Sequence, residues 1–434
     1  MDIFQCFKSC LHDAAGRKKA VVWLDRSTEI SLLAMIFVLP FSKSLIEIFF
    51  GCMLISWILG RYAAHEGKLS LSMFMPVRTK LNFPIVAFVL VGFLSTAKSN
   101  FIFLSLEGLF FKMLEHVVIY FIVVEIVTDR KKLKRVMIAI FCSMVLMALD
   151  GLFQFTMGKD FLRMYPLFQG RIQASFHNTN DFAAWLVIMI PLALSFAWFW
   201  KNEWLDLSDA QEHKWLRGII KPVLWIITGA LMVCVALTYT RAAWIAVIIS
   251  IIFLGILKSR KLLVATMIAL VVLSFVIPSA MRERAISVKT PIVMVVRFEE
   301  GKMNFRMGLW VTAMKIIKQH PWAGCGLNSY TAVAPRYGIP EAYYPHNSYL
   351  HMAAEMGLLG LGAFLWMVAA LFRTALTGIR RIADGFYSAC LAGFLAGFTG
   401  FLIHSFVDTN FYALQLGILM WIVMGLIIAV RKSA

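Results

Sequence analysis

Long apolar stretches recur along the whole sequence, from residue 28 to residue 430. Most run for roughly 15 to 23 residues, which is the length that an α-helix needs to cross, or nearly cross, the hydrocarbon core of a bilayer. The chain has 434 residues, of which 60% are hydrophobic and 15% charged, and its mean hydropathy is +0.78. A soluble domain cannot bury so much apolar surface. The sequence therefore predicts an all-α, polytopic membrane protein that forms a single integral membrane domain.

We predict about twelve membrane-spanning helices from the positions of these stretches. They are Thr28–Phe41, Ser44–Gly60, Phe83–Ala97, Leu106–Val127, Val136–Phe155, Phe182–Trp200, Val223–Tyr239, Ala242–Leu257, Leu262–Pro278, Leu350–Leu371, Phe386–His404 and Phe411–Val430. The first two are the least clearly separated, because only residues 40–43 lie between them.

The basic residues predict the orientation of these helices. Lys and Arg are enriched in the cytoplasmic loops of membrane proteins. With the N-terminus in the cytoplasm, the clusters Arg17–Lys19, Arg130–Lys132 and Arg431–Lys432 all lie on that side, and so do both termini. This topology accounts for much of the formal net charge of +18. Since the sequence also lacks a Walker-type phosphate loop, a dinucleotide fingerprint and an RNA-binding signature, we expect neither a nucleotide cofactor nor a nucleic acid partner.

Two substantial loops are then predicted on the outer side, Thr156–Asp181 and Ser279–Ser348. The second is the longer, and many of its residues are basic, in contrast to the usual bias. Basic residues near the outer membrane surface suit an anionic ligand such as a phosphate or an acidic polysaccharide. This large loop is predicted to be partly helical, because apolar residues recur at helical spacing from Arg306 to Ile317, before His320-Pro321.

His346 is the first candidate for catalysis, since it lies where the polar loop meets the next apolar helix. A neutral imidazole is suited to remove a proton from a hydroxyl group near neutral pH. The simpler interpretation is a histidine at a helix start, with Asn347 or Ser348 as the cap. His346 and His351 do not share a helix face, and His351 and Glu355 offer only two ligands, so we predict no metal.

Three arginines are candidates for binding the anionic ligand. Arg241 lies in a very tight turn between two apolar stretches, where a planar guanidinium suits bidentate phosphate recognition. Arg171 lies on the first outer loop, and Arg306 opens the amphipathic segment. Each has a simpler interpretation. Arg241 could extend to the lipid headgroups, Arg171 could belong to a polar helix start, and Arg306 could lie on a solvated helix face.

Other polar residues fall within or beside the predicted spans, namely Glu115, His116, Asp150 and Asp408. Ionisable groups in a membrane are functional candidates by default, and pairing between helices is the alternative. The sequence does not separate these roles. The seven cysteines form no disulfide framework, because most lie in or before apolar stretches.

Several motifs together resemble the O-antigen ligase family, the bacterial superfamily of O-antigen ligases, O-antigen polymerases and protein O-oligosaccharyltransferases. The resemblance extends from about Arg171 to Asp408. The motifs are Thr238–Trp244, Arg306-x-x-x-Trp310, His320-Pro321-Trp322-Ala323-Gly324-Cys325-Gly326, Pro345-His346-Asn347-Ser348-Tyr349-Leu350 and Glu355-Met356-Gly357.

The resemblance implies a membrane-embedded glycosyltransferase of the bacterial inner membrane, with its active site on the periplasmic side. Its donor would be a glycan on undecaprenyl diphosphate, and it would need neither a metal nor a nucleotide. His346 matches the essential histidine of the family, Arg241 matches one of its arginines well, and Arg171 and Arg306 match less closely. We also predict that Asn347 and Tyr349, beside His346, bind substrate.

An O-antigen ligase, with the lipid A core oligosaccharide as acceptor, is the first expectation. An O-antigen polymerase is the main alternative, followed by a protein-glycosylating ligase. A flippase or exporter of lipid-linked glycans belongs to a different class, and its basic residues would line a route across the bilayer. The motifs do not reveal the glycan, the acceptor sugar or the oligomeric state.

Overall fold

The fold is all-α, as predicted. A computed structural model describes residues 13–204, 214–276, 305–338 and 343–434, which contain no strand and only two isolated β-bridges. The helices are α1 (Ala14–Val38), α2 (Lys43–Ala64), α3 (Asn82–Ala97), α4 (Ile102–Gly108), α5 (Glu115–Ile126), α6 (Arg130–Met157), α7 (Thr179–Phe199), α8 (Lys214–Leu237), α9 (Arg241–Lys258), α10 (Arg260–Val276), α11 (Phe305–Gln319), α12 (Tyr330–Val333), α13 (Ser348–Leu376), α14 (Gly385–His404) and α15 (Leu414–Ser433). A π-helical turn, Leu109–Leu114, joins α4 to α5.

Eight helices in this part of the chain are long and apolar enough to cross a membrane, which confirms a polytopic protein. They are α2, α6, α7, α8, α9, α13, α14 and α15. Each of the twelve predicted spans overlaps a helix, but the predicted total is not confirmed. Helix α3 is apolar but shorter, and the π-helical turn interrupts the predicted span Leu106–Val127. The last two residues of the predicted span Leu262–Pro278 lie outside the described residues.

The large loop predicted at Ser279–Ser348 is described only from residue 305, and residues 339–342 are also outside the description. Within it, α11 confirms the helix predicted from Arg306, and it ends at Gln319, immediately before His320-Pro321. The glycines in Gly324-Cys325-Gly326 predict a turn, which is confirmed because Gly324 and Gly326 have φ angles of +72° and +122°.

Helices α7, α14 and α15 form the buried centre of the bundle. Glycines let α14 approach its neighbours closely. A Cβ atom added at Gly397 would lie 2.4 Å from the carbonyl oxygen of Ile188 on α7, and one at Gly400 would lie 2.0 Å from Oγ of Ser250 on α9. Small residues at these positions allow backbone-to-backbone packing between membrane helices. This buried centre holds in place the first turn of α7 and the C-terminal end of α14, and both lie at the candidate site.

Candidate active site

The helix that follows His346 is interrupted, and the loop between α11 and α12 forms hydrogen bonds with its backbone at the interruption. Gly357 in α13 has φ +69° and ψ −177°, which interrupts the helix. The N–H of Leu358 donates to the carbonyl oxygen of Pro321 at 2.7 Å, and the N–H of Cys325 donates to that of Ala354 at 2.9 Å. The loop therefore supplies partners to backbone groups that the break leaves exposed, as a membrane environment requires. We call residues 321–326 the clasp.

Two glycines make this close approach possible. A Cβ atom at Gly324 would lie 2.1 Å from the carbonyl oxygen of Glu355, and one at Gly357 would lie 2.2 Å from that of Trp322. Both distances are far below van der Waals contact. The glycines in the two sequence motifs therefore serve one structural purpose, which is to join the long loop to α13.

Glu355 anchors the chain that follows the clasp. Its side chain is buried, and its carboxylate oxygens accept hydrogen bonds from the N–H groups of Asn328 at 2.9 Å and Tyr330 at 3.0 Å. His351 Nε2 lies 3.2 Å from Oε1 of the same carboxylate. The sequence suggested His351 and Glu355 only as two metal ligands and assigned Glu355 no structural role. Among the described residues, no group of three or more His, Cys, Asp and Glu side chains is arranged to hold a metal ion.

His346 lies at the start of α13 in a constrained backbone conformation. Its φ angle is +47°, which is uncommon for a residue with a side chain. Asn347 is the cap, because its Oδ1 accepts hydrogen bonds from the N–H groups of Tyr349 and Leu350, both at 3.0 Å. The helix-start interpretation of the sequence is thus correct for Asn347, and it leaves the imidazole of His346 available for another role.

His346 pairs with Asp408, which lies between α14 and α15. Nδ1 of the imidazole is 3.2 Å from Oδ1 of the carboxylate. The Asp408 side chain is 7% exposed and that of His346 is 29% exposed, so the carboxylate is buried and the ring reaches the surface of the site. An imidazole held at Nδ1 by a carboxylate presents Nε2 to a reactant in a defined tautomer.

Backbone contacts hold this pair in place. The N–H of Ser348 donates to the backbone carbonyl oxygens of Ser405 at 2.9 Å and Asp408 at 3.0 Å. The Ser348 hydroxyl also donates to the backbone carbonyl oxygen of Asp408, at 2.8 Å. Burial alone would raise the pKa of Asp408. The hydrogen bond from His346, the nearby ring of His404 and the N–H of Thr409 outweigh burial and hold that pKa below its usual value. Asp408 is therefore a carboxylate at neutral pH.

Arg171 is tied to the tight turn that precedes Arg241. Its Nε donates to the carbonyl oxygen of Thr238 at 2.7 Å, and its Nη2 donates to Oγ1 of Thr240 at 2.7 Å and to Oδ1 of Asn180 at 3.2 Å. The structure thus brings the two predicted arginines, which are far apart in sequence, to the same turn. It also gives Arg171 a role in the turn's conformation that the sequence did not suggest.

The loop that carries Arg171 is itself anchored on α6. Asp150 accepts hydrogen bonds from the hydroxyl of Ser175 at 2.6 Å and from the N–H of Phe161 at 3.0 Å. Oε1 of Gln154 accepts from the N–H groups of Gln173 and Ala174, both at 2.8 Å. Asp150, whose role the sequence left open, is therefore a structural anchor for this loop.

Arg241 is the first residue of α9 and is exposed. The turn before it is as tight as predicted, because Tyr239 has a φ angle of +50° and α8 ends only at Leu237. Arg306 is exposed in the first turn of α11, and its charge acts on the ring of His404 at the end of α14.

The first turn of α7 connects the arginine turn to the histidine–aspartate pair. Asn180 accepts hydrogen bonds from Arg171 and from the Thr240 hydroxyl, the latter at 3.3 Å. The next residue, Asp181, interacts electrostatically with Asp408, His346 and Lys43. The predicted residues of both outer loops therefore converge at one end of the bundle. Asp181 and Lys43 were not predicted as site residues, and only their positions at helix starts could have indicated them.

Three other residues named from the sequence have different surroundings. The hydroxyl of Tyr349 donates to the carbonyl oxygen of Leu402 at 2.8 Å, and its ring packs against Phe406 at a centroid distance of 4.3 Å. Its predicted contact with substrate remains a prediction. Glu115 and His116 are buried in α5, and His116 lines a largely apolar cavity together with Met352 and Met356 of α13.

Taken together, the fold and site define an all-helical polytopic membrane protein with a histidine–aspartate pair and arginines at one end of the bundle. Residues 222–365 match the family model described as O-antigen ligase, and this range includes Arg241, Arg306 and His346. The chain is 25% identical over 241 residues to an O-antigen ligase of Salmonella typhimurium. The match covers 52% of this chain and 57% of the relative, so the chain spans little more than half of that protein's length. The resemblance to the O-antigen ligase family is therefore confirmed.

Proposed function

We propose that this protein is an O-antigen ligase, which transfers a polymerised glycan from undecaprenyl diphosphate to the lipid A core oligosaccharide. The family match and the Salmonella relative support the transfer of a glycan. The observation that carries the proposal is the contact between Nδ1 of His346 and the buried carboxylate of Asp408. The positive-inside pattern supports a periplasmic site with both termini in the cytoplasm.

In this mechanism His346 is the general base. Its Nε2 removes the proton from a hydroxyl group of the acceptor sugar, and the hydroxyl oxygen forms a bond to the anomeric carbon of the donor. The bond between that carbon and the phosphate oxygen breaks, and undecaprenyl diphosphate leaves. Asp408 orients the ring and stabilises the imidazolium that forms. By family resemblance, the reaction is a single displacement with inversion at the anomeric carbon.

The arginines act on the leaving group. Negative charge develops on the diphosphate as the bond breaks, and guanidinium groups already in place stabilise it without reorganisation. Arg241 is the main candidate, because it is exposed at the start of α9. Arg171 donates a hydrogen bond to the turn that precedes Arg241, and it adds positive charge beside that turn. Arg306 lies on the long loop, near the same end of the bundle.

The reaction needs no other source of energy, because cleavage of the activated glycosyl phosphate drives it. We therefore expect transfer without ATP and in the presence of EDTA. The test is an assay with the purified protein, an undecaprenyl-diphosphate glycan and lipid A core. Glycan on lipid A core is expected with the wild type and is lost in His346→Ala. His65→Ala, which alters a histidine whose Nδ1 contacts the backbone carbonyl oxygen of Arg61, is the control.

Other products would contradict the proposal in different ways. Lengthened glycan on the lipid carrier would indicate a polymerase. Movement of the donor across liposomes without transfer to an acceptor would indicate a transporter. Full transfer by a well-folded His346→Ala protein would exclude His346 as the base.

A further inference from the structure

A second basic site lies at the opposite end of α13 from His346. The 29 residues of α13 separate the two sites along the chain. A cleft of about 1110 Å³ opens there between the last turns of α13 and α15 and the segment before α3. Three separate parts of the chain contribute its five basic residues, which are Arg78, Lys80, Arg373, Arg431 and Lys432.

The charges of this cleft are not neutralised by acidic side chains. No acidic residue lines the cleft, and Arg78, Lys80, Arg373 and Lys432 form no ion pair within the described residues. These four side chains are exposed. Arg431 differs, because its Nε donates to the carbonyl oxygen of Thr374 at 3.3 Å and its Nη2 donates to that of Thr377. It joins the ends of α13 and α15 and thereby shapes the cleft.

The rest of the lining is of two kinds. Thr79, Thr374 and Thr377 also line the cleft, with hydroxyls that donate to Asn82, Ala370 and Arg373, and Trp366, Ala369, Ala370 and Ile428 form an apolar wall. The Trp366 side chain is 51% exposed and lies on the membrane-spanning part of α13, further from the helix end than Arg373. A ligand that fits both parts has a phosphate group and an attached hydrocarbon chain.

A cytoplasmic excess of Lys and Arg is sufficient to orient a membrane protein, and it requires only that the charges lie on one side. It does not require cations from three segments to converge on one cleft that also has an apolar wall. Basic pockets between membrane helices bind the headgroups of anionic lipids. We propose that this cleft binds an anionic phospholipid of the leaflet opposite the His346 site, with its phosphate among the basic residues and an acyl chain along Trp366.

The test measures lipid binding by native mass spectrometry of the full-length, detergent-purified protein. Phosphatidylglycerol is titrated against phosphatidylcholine, and glycerol phosphate and pyrophosphate serve as soluble competitors. The variant Arg373→Gln/Lys432→Gln removes two cations of the cleft. The variant Lys18→Gln/Lys131→Gln makes the same change in charge at exposed positions that do not line the cleft, and it is the control.

We expect the wild type to prefer phosphatidylglycerol, and the cleft variant to bind it up to about 30-fold more weakly, because each cation near a membrane surface contributes about fivefold. The control is expected to remain within twofold of the wild type. Arg78→Gln/Lys80→Gln, which alters a different segment, repeats the test if the first variant unfolds. An equal loss in the control, or no preference between the lipids, would overturn the proposal. Complete displacement by glycerol phosphate at the same concentration would assign the cleft to a soluble phosphate and would also overturn it.

Discussion

Nδ1 of His346 lies 3.2 Å from Oδ1 of Asp408, although the two residues are 62 positions apart in the sequence. Helices α13 and α14 lie between them in the chain, so the pair depends on how these two helices pack. A buried carboxylate at this position fixes the ring and favours its protonated form during proton transfer. The candidate site thus combines an imidazole at the start of α13 with a buried carboxylate from the loop between α14 and α15.

Asp408→Asn is expected to lower the transfer rate on the order of 10²-fold or more, because the amide neither stabilises the imidazolium nor selects the tautomer. The measurement is kcat for glycan transfer, with the melting temperature as a check of folding. Asp384→Asn, which alters the cap of α14 at the other end of the helix, is the control and should retain activity. A rate within twofold of the wild type in Asp408→Asn would show that the carboxylate has no catalytic function.

The stability of the protein should depend on pH through Asp408. Its folded-state pKa is below the ordinary value of 3.8, so the carboxylate favours the folded state at pH values above that number. This contribution is lost as the pH falls below about 4 and through the depressed folded-state pKa. Melting temperatures between pH 3 and pH 6 should therefore fall more steeply in the wild type than in Asp408→Asn. Parallel curves for the two proteins would contradict the pairing.

Thr240→Val tests the role of Arg171 in the arginine turn. The substitution removes the hydroxyl that accepts from Nη2 of Arg171 at 2.7 Å. A hydrogen bond to a charged group contributes about 1.5–3 kcal/mol, so transfer should fall by about tenfold or more if the turn positions Arg241 for the diphosphate. Thr240→Ser keeps the hydroxyl and should restore the rate. If Thr240→Ser is as slow as Thr240→Val, the methyl group rather than the hydrogen bond is responsible.

Gly357→Ala should break the clasp. A Cβ atom there meets the carbonyl oxygen of Trp322 at 2.2 Å, and the φ angle of +69° is itself unfavourable for alanine. Gly338→Ala is the matched control, because Gly338 has φ +82° but no atom within 4 Å of an added Cβ. The control should lose only about 1 kcal/mol of unfolding free energy. Gly357→Ala should lose more, and with it the activity, as measured by thermal unfolding and transfer. Equal losses would mean that the close approach contributes nothing.

Gly397→Ala tests the packing of α14 on α7. The added methyl group would lie 2.4 Å from the carbonyl oxygen of Ile188, and overpacking of this kind costs about 1–3 kcal/mol. Gly362→Ala in α13 has open space around it and should be neutral or slightly stabilising, because alanine favours a helix over glycine. Unfolding in detergent compares the two. A neutral Gly397→Ala would show that α14 and α7 are less closely packed than described.

Sequence determined the all-α class and the approximate places of the apolar helices, and it narrowed the cap of α13 to Asn347 or Ser348. These features depend on local properties, namely the apolar length of a segment and hydrogen bonds that reach two or three residues along the chain. The sequence also marked His346, Arg241 and the motif with Gly357, through residue types that stand out beside apolar stretches.

Tertiary structure alone decided which of these residues meet. Asp408 pairs with His346, Arg171 holds the turn at Thr240, and Glu355 anchors the chain after the clasp. A hydrogen bond forms only when two groups lie within about 3 Å in the correct orientation, and for partners this far apart in sequence that depends on how helices pack. The apolar pattern requires helices, but several packings would satisfy it. The close contacts at Gly324, Gly357 and Gly397 select the one that assembles the site.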